Sequence, residues 1–319
     1  MKKDSLALLL SLTAALPVAA QTEKWPDKPV RMIVPMPAGG TLDIAARVLT
    51  QRLSQDFGQQ FIVDNRAGAG SMIGTELALR AAPDGHTIIL VASTYAANAA
   101  IYKLPYDPIS GIAPVTLIGT GLWVATVNAT VKASNLKEFI ELARAKPGTI
   151  SFGSPGSGSA PHLAIALFQQ MTKTDMTHIP YKGEAPGITD LIGGHIQMYF
   201  TGVGTLSPHQ KAGRLRGLAV TSEQRSRQMP ELPAIGEMVP GYAAPSWYGI
   251  FAPVGTPKEI VSQLNQSIGR ILKQPDMQER LMSEGIEPRH STPEEFSRYI
   301  AQDITKWAKV VREGSIKVD

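Results

Sequence analysis

The sequence predicts an α/β protein built as two units. Three observations carry that prediction. Short apolar, β-prone runs alternate with amphipathic runs of helical spacing, the order expected of mostly parallel sheets with short connections. Two glycine-rich turns, residues 36–41 (MPAGGT) and 153–162 (GSPGSGSAPH), lie in separate halves of the chain, each between a strand-like and a helix-like run. At 319 residues, the chain is long enough for two cores.

The first residues read as an export signal. Lys2 and Lys3 give a positive start, residues 6–15 form an apolar run too short to span a bilayer comfortably, and Val18-Ala19-Ala20 supplies small residues for cleavage after Ala20. An amphipathic N-terminal helix of a cytosolic protein is the competing reading and fits fewer of these parts. No later stretch is apolar and long enough to cross a membrane.

Residues 29–34 then read as a buried strand and 42–57 as a helix with Ile44, Val48, Leu49 and Leu53 on its apolar face. A strand follows at 60–64, a helix at 72–82, a turn at Ala82-Pro83-Asp84-Gly85 and a strand at 87–92. A second unit starts near Trp123, with a strand at 122–127 and a helix at 136–145 capped by Ser134 or Asn135. Strand 149–153, the second glycine-rich turn, helix 163–171, strands 177–180 and 197–200 around helix 185–192, and strand 215–220 complete it. Proline-rich residues 229–233 and 239–245 read as a linker back. The last third is helical. Thr256-Pro257-Lys258-Glu259 and Thr292-Pro293-Glu294-Glu295 both read as capping boxes with Pro at the first helical position. The expected organisation is a signal peptide at 1–20, a discontinuous domain 1 at 21–123 and 246–319, and domain 2 at 124–245.

Composition narrows the function. The chain has no cysteine, hence no disulfide framework, thiolate metal site, cysteine nucleophile or cysteine for a lipid anchor. An exported, unanchored, cysteine-free chain suits a bacterial periplasm. The formal net charge is +4, with no basic cluster interleaved with aromatics, which argues against nucleic acid and weakly favours anionic solutes.

The chemistry concentrates in the two turns. Gly39 and Gly40 lack Cβ atoms, so a ligand can approach the backbone, and Thr41 is a plausible helix N-cap. The free N–H groups of a first helical turn favour an anion. An ordinary strand-to-helix turn explains the stretch equally well. Asp43 reads as a first-turn helix stabiliser or as a contact to a ligand donor. In the second turn, Ser154, Ser157 and Ser159 offer hydroxyls beside backbone N–H groups, a set suited to a carboxylate or ordered water; a flexible loop is the alternative.

Competing chemistries fit poorly. Gly68-Ala69-Gly70 with Gly74 is one residue too long for a dinucleotide fingerprint. There is no G-x-S-x-G elbow, and Ser134-Asn135-Leu136-Lys137 matches S-x-x-K only as a helix start. The histidines show no metal-ligand spacing, and His162 stands out only for its place after the second turn. No catalytic residue, metal or cofactor is expected.

These residues, taken together, resemble the Bug family, periplasmic receptors of tripartite tricarboxylate transporters. The resemblance runs from about Trp25 to Val311. It rests on Trp25-Pro26-Asp27-Lys28-Pro29, the PAGGTLDIAAR turn, Asn65-Arg66-Ala67-Gly68-Ala69-Gly70, Ala82-Pro83-Asp84-Gly85, Ser154-Pro155-Gly156-Ser157-Gly158, Pro180-Tyr181-Lys182-Gly183, Gly193-Gly194, Lys211-Ala212-Gly213-Arg214-Leu215-Arg216, Leu218-Ala219-Val220-Thr221-Ser222, Ser246-Trp247-Tyr248-Gly249 and Phe251-Ala252-Pro253 in order. It implies a two-domain periplasmic binding protein fold, type II-like, with a ligand cleft between α/β domains and no catalysis. It implies a small carboxylate solute, delivery to membrane permease subunits, and a monomer. Carried onto this chain, Ala38, Gly39, Gly40, Asp43, Ser93 and Thr94 would form one wall. Ser154, Gly156, Ser157 and Gly158 would form the other, with Tyr181 and Thr201 completing the set.

Two departures mark the far end of the pocket. Glu184 follows Tyr181-Lys182-Gly183 where members more often carry a small residue, and Phe200-Thr201-Gly202-Val203-Gly204 lacks the acidic residue that often follows the aromatic. Glu184 either complements its helix dipole or faces the cleft and favours a ligand with an amine. Two other functions share these features: a ligand sensor for a two-component system, and a periplasmic serine hydrolase using the second turn.

Overall fold

The computed structural model describes residues 25–313. The expected export signal and its cleavage point after Ala20 lie outside the described residues.

The chain runs β1 (Val30–Val34), α1 (Thr41–Phe57), β2 (Phe61–Asn65), a 3-10 turn at Ala69–Ser71, α2 (Met72–Leu79), β3 (Thr87–Ala92), α3 (Thr94–Ile101) and β4 (Ile112–Gly121). It crosses to β5 (Trp123–Asn128), α4 (Leu136–Ala145), β6 (Ser151–Ser154), α5 (Ala160–Thr172), β7 (Thr177–Pro180), α6 (Glu184–Gly193), β8 (Met198–Gly202), α7 (Val203–Lys211), β9 (Leu215–Val220) and α8 (Ile235–Met238). It returns through β10 (Ser246–Pro253), α9 (Lys258–Ile271), α10 (Pro275–Ser283), β11 (Ile286–Pro288) and α11 (Pro293–Glu313).

Two sheets result, one per lobe. The six-stranded sheet has the order β11-β4-β10-β3-β1-β2, and the five-stranded sheet β7-β6-β8-β5-β9. The sheets are mixed, where the sequence led us to expect mostly parallel ones. β1, β2 and β3 are parallel, as are β6, β7 and β8, and helices cover these crossovers. β10 runs antiparallel to β3 and β4, and β5 antiparallel to β8 and β9. The reversed strands are the ones that bring the chain into or back from the other lobe.

β4, β10 and α3 escaped the sequence reading. β10 carries a glycine in mid-strand, which weakens the strand pattern. The structure shows why: a Cβ on Gly249 would collide with the Phe296 ring of α11. α11 is held there by a bond from the Trp247 indole N–H to Asp303 Oδ2 (2.7 Å).

The β1 residues alternate between two cores. Val30, Met32 and Val34 pack with Leu42, Leu49 and Leu53 of α1 and with Leu264 and Ile268 of α9. Ile33 faces the opposite core, which continues into the second lobe through Phe152, Ile165 and Phe168. α1 is rotated from the expected stripe. Leu42, Ala45, Ala46, Leu49 and Leu53 are buried, while Ile44 and Val48 lie at the rim.

Helix starts divide the sequence expectations. Asn135 caps α4 by accepting from Glu138 N–H (2.9 Å). At α11 the reciprocal box forms: Glu295 N–H donates to Thr292 Oγ1 (3.2 Å) and Thr292 N–H to Glu295 Oε2 (3.0 Å). At α9 it does not, because the Thr256 hydroxyl turns back to donate to Pro253 O (2.8 Å). At α1 the N-cap is Gly40, and Thr41 is the first helical residue.

The two crossings lie side by side, since Gly121 pairs with Ser246 in the sheet. Thr221 stitches them together. Its Oγ1 accepts from Trp123 N–H and its carbonyl from Ala244 N–H, both at 2.9 Å. The proline-rich stretch before β10 is not a free linker. Met229, Leu232, Val239 and Tyr242 are buried, and the Tyr242 hydroxyl donates to Ala164 O (3.0 Å).

Candidate functional site

The two glycine-rich turns meet across the seam between the lobes. Thr94 Oγ1 of α3 accepts from Ala160 N–H at the start of α5 (3.4 Å), and the Tyr102 hydroxyl donates to Ser157 O (3.2 Å). A Cβ on Gly183 would lie 3.5 Å from Pro37 Cγ, and one on Gly202 would lie 3.8 Å from Thr41 Oγ1. The N-termini of α1, α3, α5, α6 and α7 therefore converge on one seam, each turning the positive end of its dipole toward it.

The first turn is held by a charged brace. Gly39 N–H donates to Asp43 Oδ2 (2.9 Å), Arg47 Nε donates to the same oxygen (2.9 Å), and Asn65 Nδ2 donates to Asp43 Oδ1 (2.9 Å) and Met36 O (3.1 Å). Burial alone would raise the Asp43 pKa; the Arg47, Gly39 and Asn65 donors outweigh it and hold the carboxyl below its ordinary value. Both Asp43 oxygens are engaged inside the lobe, and the residue is only 2% exposed. Gly39 also gives its N–H to that brace, and its φ of +87° is one that a side chain would strain. Ala38, Gly39 and Gly40 are exposed. Among the described residues, Gly40, Thr41 and Leu42 N–H donate to no acceptor, while the first helical bond runs from Ile44 N–H to Gly40 O.

The second turn is held by neutral groups. Buried Ser154 donates its hydroxyl to Gly156 O (3.0 Å) and lies 2.7 Å from His178 Nε2. Gly158 N–H donates to His162 Nδ1 (3.1 Å), and Gly156 O also accepts from the Ser159 hydroxyl (2.7 Å). The His162 and His178 rings stack 3.8 Å apart, 9° from parallel. Burial, aided by His178, pushes His162 down to about 3, and burial pushes His178 down to about 4, so both are neutral near pH 7. Ser154, Gly156 and Gly158 are thus largely committed to the turn's own bonding. Ser157 is the serine whose hydroxyl has no partner among the described residues.

The other expected residues separate in the same way. Ser93 is buried at the end of β3, with its N–H bonded to Trp247 O (3.0 Å) and its Oγ without a partner. Tyr181 donates its hydroxyl to Asp190 Oδ2 (2.7 Å), and burial followed by Asp190 raises it to about 12. Thr201 is fully buried, its Oγ1 2.7 Å from Thr126 Oγ1 inside the five-stranded sheet. Neither the Tyr181 nor the Thr201 hydroxyl is therefore offered to the seam.

Sequence reading missed two seam residues and one buried hydroxyl. Asn98 of α3 is 2% exposed with an unpartnered Oδ1, and its Nδ2 donates to Gly70 O (2.8 Å). An asparagine within TYAANAAI was the available signal. Tyr102 reaches Ser157, and buried Tyr199 has an unpartnered hydroxyl. Two surface hollows, one near Arg289 and Tyr299 and one near Arg144 and Met171, lie away from both turns.

Comparison with known proteins points the same way. Residues 45–316 match the model of the tripartite tricarboxylate transporter family receptor, TctC. BugT of Bordetella pertussis is 35% identical over 308 residues, covering 95% of this chain and 94% of that one. Rpa4515 of R. palustris, solved with adipate, is 34% identical with a TM-score of 0.87, covering 92% of this chain and 99% of that one. MatC of Rhodopseudomonas palustris, solved with bound malate, is 28% identical with a TM-score of 0.83, covering 90% of this chain and 100% of that one.

Proposed function

The chain belongs to the receptor family of the tripartite tricarboxylate transporters, periplasmic solute-binding proteins of the Bug type, and from that premise we propose that it captures a small carboxylate solute between its lobes and hands it to membrane permease subunits. One observation carries the reading: the helix N-termini with uncommitted donors that face each other across the seam. Gly40, Thr41 and Leu42 N–H supply one wall, and the Ser157 hydroxyl and the orphaned Ser93 Oγ complete the cage. Backbone donors and hydroxyls bind a carboxylate without a fixed cation, through directional bonds and aligned dipoles. A solute bridging both walls favours the closed arrangement by its differential affinity. The adipate and malate found in relatives support the solute class.

We assign domain 1 to 21–123 with 246–319 and domain 2 to 124–245. On this reading the protein acts as an exported monomer, cleaved after Ala20. A thermal-shift screen of mono-, di- and tricarboxylates, aromatic acids and acidic amino acids tests the reading, with native mass spectrometry of freshly purified protein identifying any retained ligand. Gly40→Val is the matching variant. Gly40 has φ −85°, which valine adopts freely, and its Cβ would enter open space. The fold persists and binding is lost. A stabilised hit that Gly40→Val binds equally well overturns this placement, and no hit among the acids overturns the function.

A further inference from the structure

The function above leaves one half-buried acid unused. Glu184 is the first residue of α6, yet its carboxylate serves the next helix. Gly202 N–H, at the N-cap of α7, approaches Glu184 Oε1 at 3.5 Å, and the nearby Thr205 hydroxyl also favours the charged carboxylate. The anion-favouring end of α7 is thus occupied by a carboxylate of the chain itself.

That carboxylate stands at the seam. Gly183 before it abuts Pro37 of the first turn, and Gly202 beside it abuts Thr41. Tyr248, on β10 of the other lobe, feels its charge. Among the described residues, no Lys, Arg or His forms an ion pair with Glu184. Burial pushes its pKa up, and only Gly202 and Thr205 pull it back. The Tyr199 hydroxyl, which feels the Glu184 charge, is buried with no partner. A partly desolvated carboxylate without an ion-pair partner, within electrostatic reach of an unpaired hydroxyl, is an incomplete site.

We infer that Glu184 selects the far end of the solute, excluding a second carboxylate and taking an ammonium group, with the Tyr199 hydroxyl as a second partner. This rests on the reading that the solute's first carboxylate binds between the two turns. The solute class is then an amino acid whose amine lies away from the clamped carboxylate. A dianion would set like charges against each other at a desolvated position.

The test is calorimetric titration near neutral pH with two matched series, straight-chain dicarboxylates and ω-amino acids of equal length, from four to eight carbons. Wild type binds at least one ω-amino acid about tenfold or more tighter than the dicarboxylate of that length, and Glu184→Gln inverts the preference by a similar factor. A wild type that takes dicarboxylates as tightly, or a glutamine variant that weakens both series equally, overturns the inference and leaves Glu184 as a helix cap. Should that variant fail to fold, the wild-type ratio alone decides. If wild type binds neither series while other acids stabilise it, this inference falls and the carboxylate reading stands. If no acid binds, both fall.

Discussion

The two glycine-rich turns do the same geometric job with opposite chemistry. Each aims helix-start donors at the seam, and each hands one glycine N–H to a brace four residues on: Gly39 to Asp43, and Gly158 to His162. The first brace is ionic, a carboxylate shared by Arg47, Asn65 and the backbone. The second is two stacked, neutral imidazoles. The difference teaches that backbone shape does not fix how a loop responds to its surroundings. An anion held at its ordinary charge tolerates mild acid, whereas a buried neutral base does not.

The largest expected effect comes from breaking the ionic brace. Asp43→Ala strands the Gly39, Asn65 and Arg47 donors and lowers stability by about 3 kcal/mol, read by urea denaturation, with carboxylate affinity falling alongside. A loss under about 1 kcal/mol would show that the first turn holds itself. Mild acid is the complementary challenge. His162 has a folded pKa of about 3, below the unfolded value of about 6.5, so the unfolded chain binds the extra proton throughout that window. Stability is therefore full above about pH 6.5 and falls by up to about 1.4 kcal/mol per unit as pH drops toward 3, with His178 adding in the same direction down to about 4. Asp43, whose pKa is lowered, keeps its contribution until pH falls below the ordinary carboxylate range. Hydrogen exchange at pH 7 and pH 5 should show residues 153–162 losing protection while residues 36–43 keep it. Equal loss in both turns would erase the contrast.

Smaller effects sharpen it. Ser157→Ala removes the unbraced hydroxyl of the second turn and weakens binding of an identified acid by about 1–2 kcal/mol, with melting temperature unchanged. Thr201→Val should reverse that pattern: stability falls by about 1 kcal/mol through the lost bond to Thr126, and affinity is unmoved. Calorimetry on both variants decides which threshold hydroxyl faces solute.

Where the turns lie was legible because their glycines follow β-prone runs and precede helical ones. What braces them was not. Asp43 and Asn65 are 22 residues apart and meet only because β2 pairs with β1. His162 and His178 sit on α5 and β7, and only the β6–β7 pairing lays one ring over the other. Thr201 shows the limit from the other side: a hydroxyl beside a cleft motif faced its own sheet, because strand period decides direction and one sequence does not reveal the register. Glu184 was visible as an unusual residue, but its destination at α7 depends on a neighbour 18 positions away.

The paired crossings at Gly121 and Ser246 carry a mechanical consequence. Two strands bonded edge to edge behave as a leaf spring: stiff against shear and twist, compliant to bending across the pleat. That pairing favours bending at the line that Thr221 pins. On the proposed binding between the lobes, a bend at that line would move both walls together, and occupancy would register as one angle. A docking protein could read that angle from the outer surface without touching the solute.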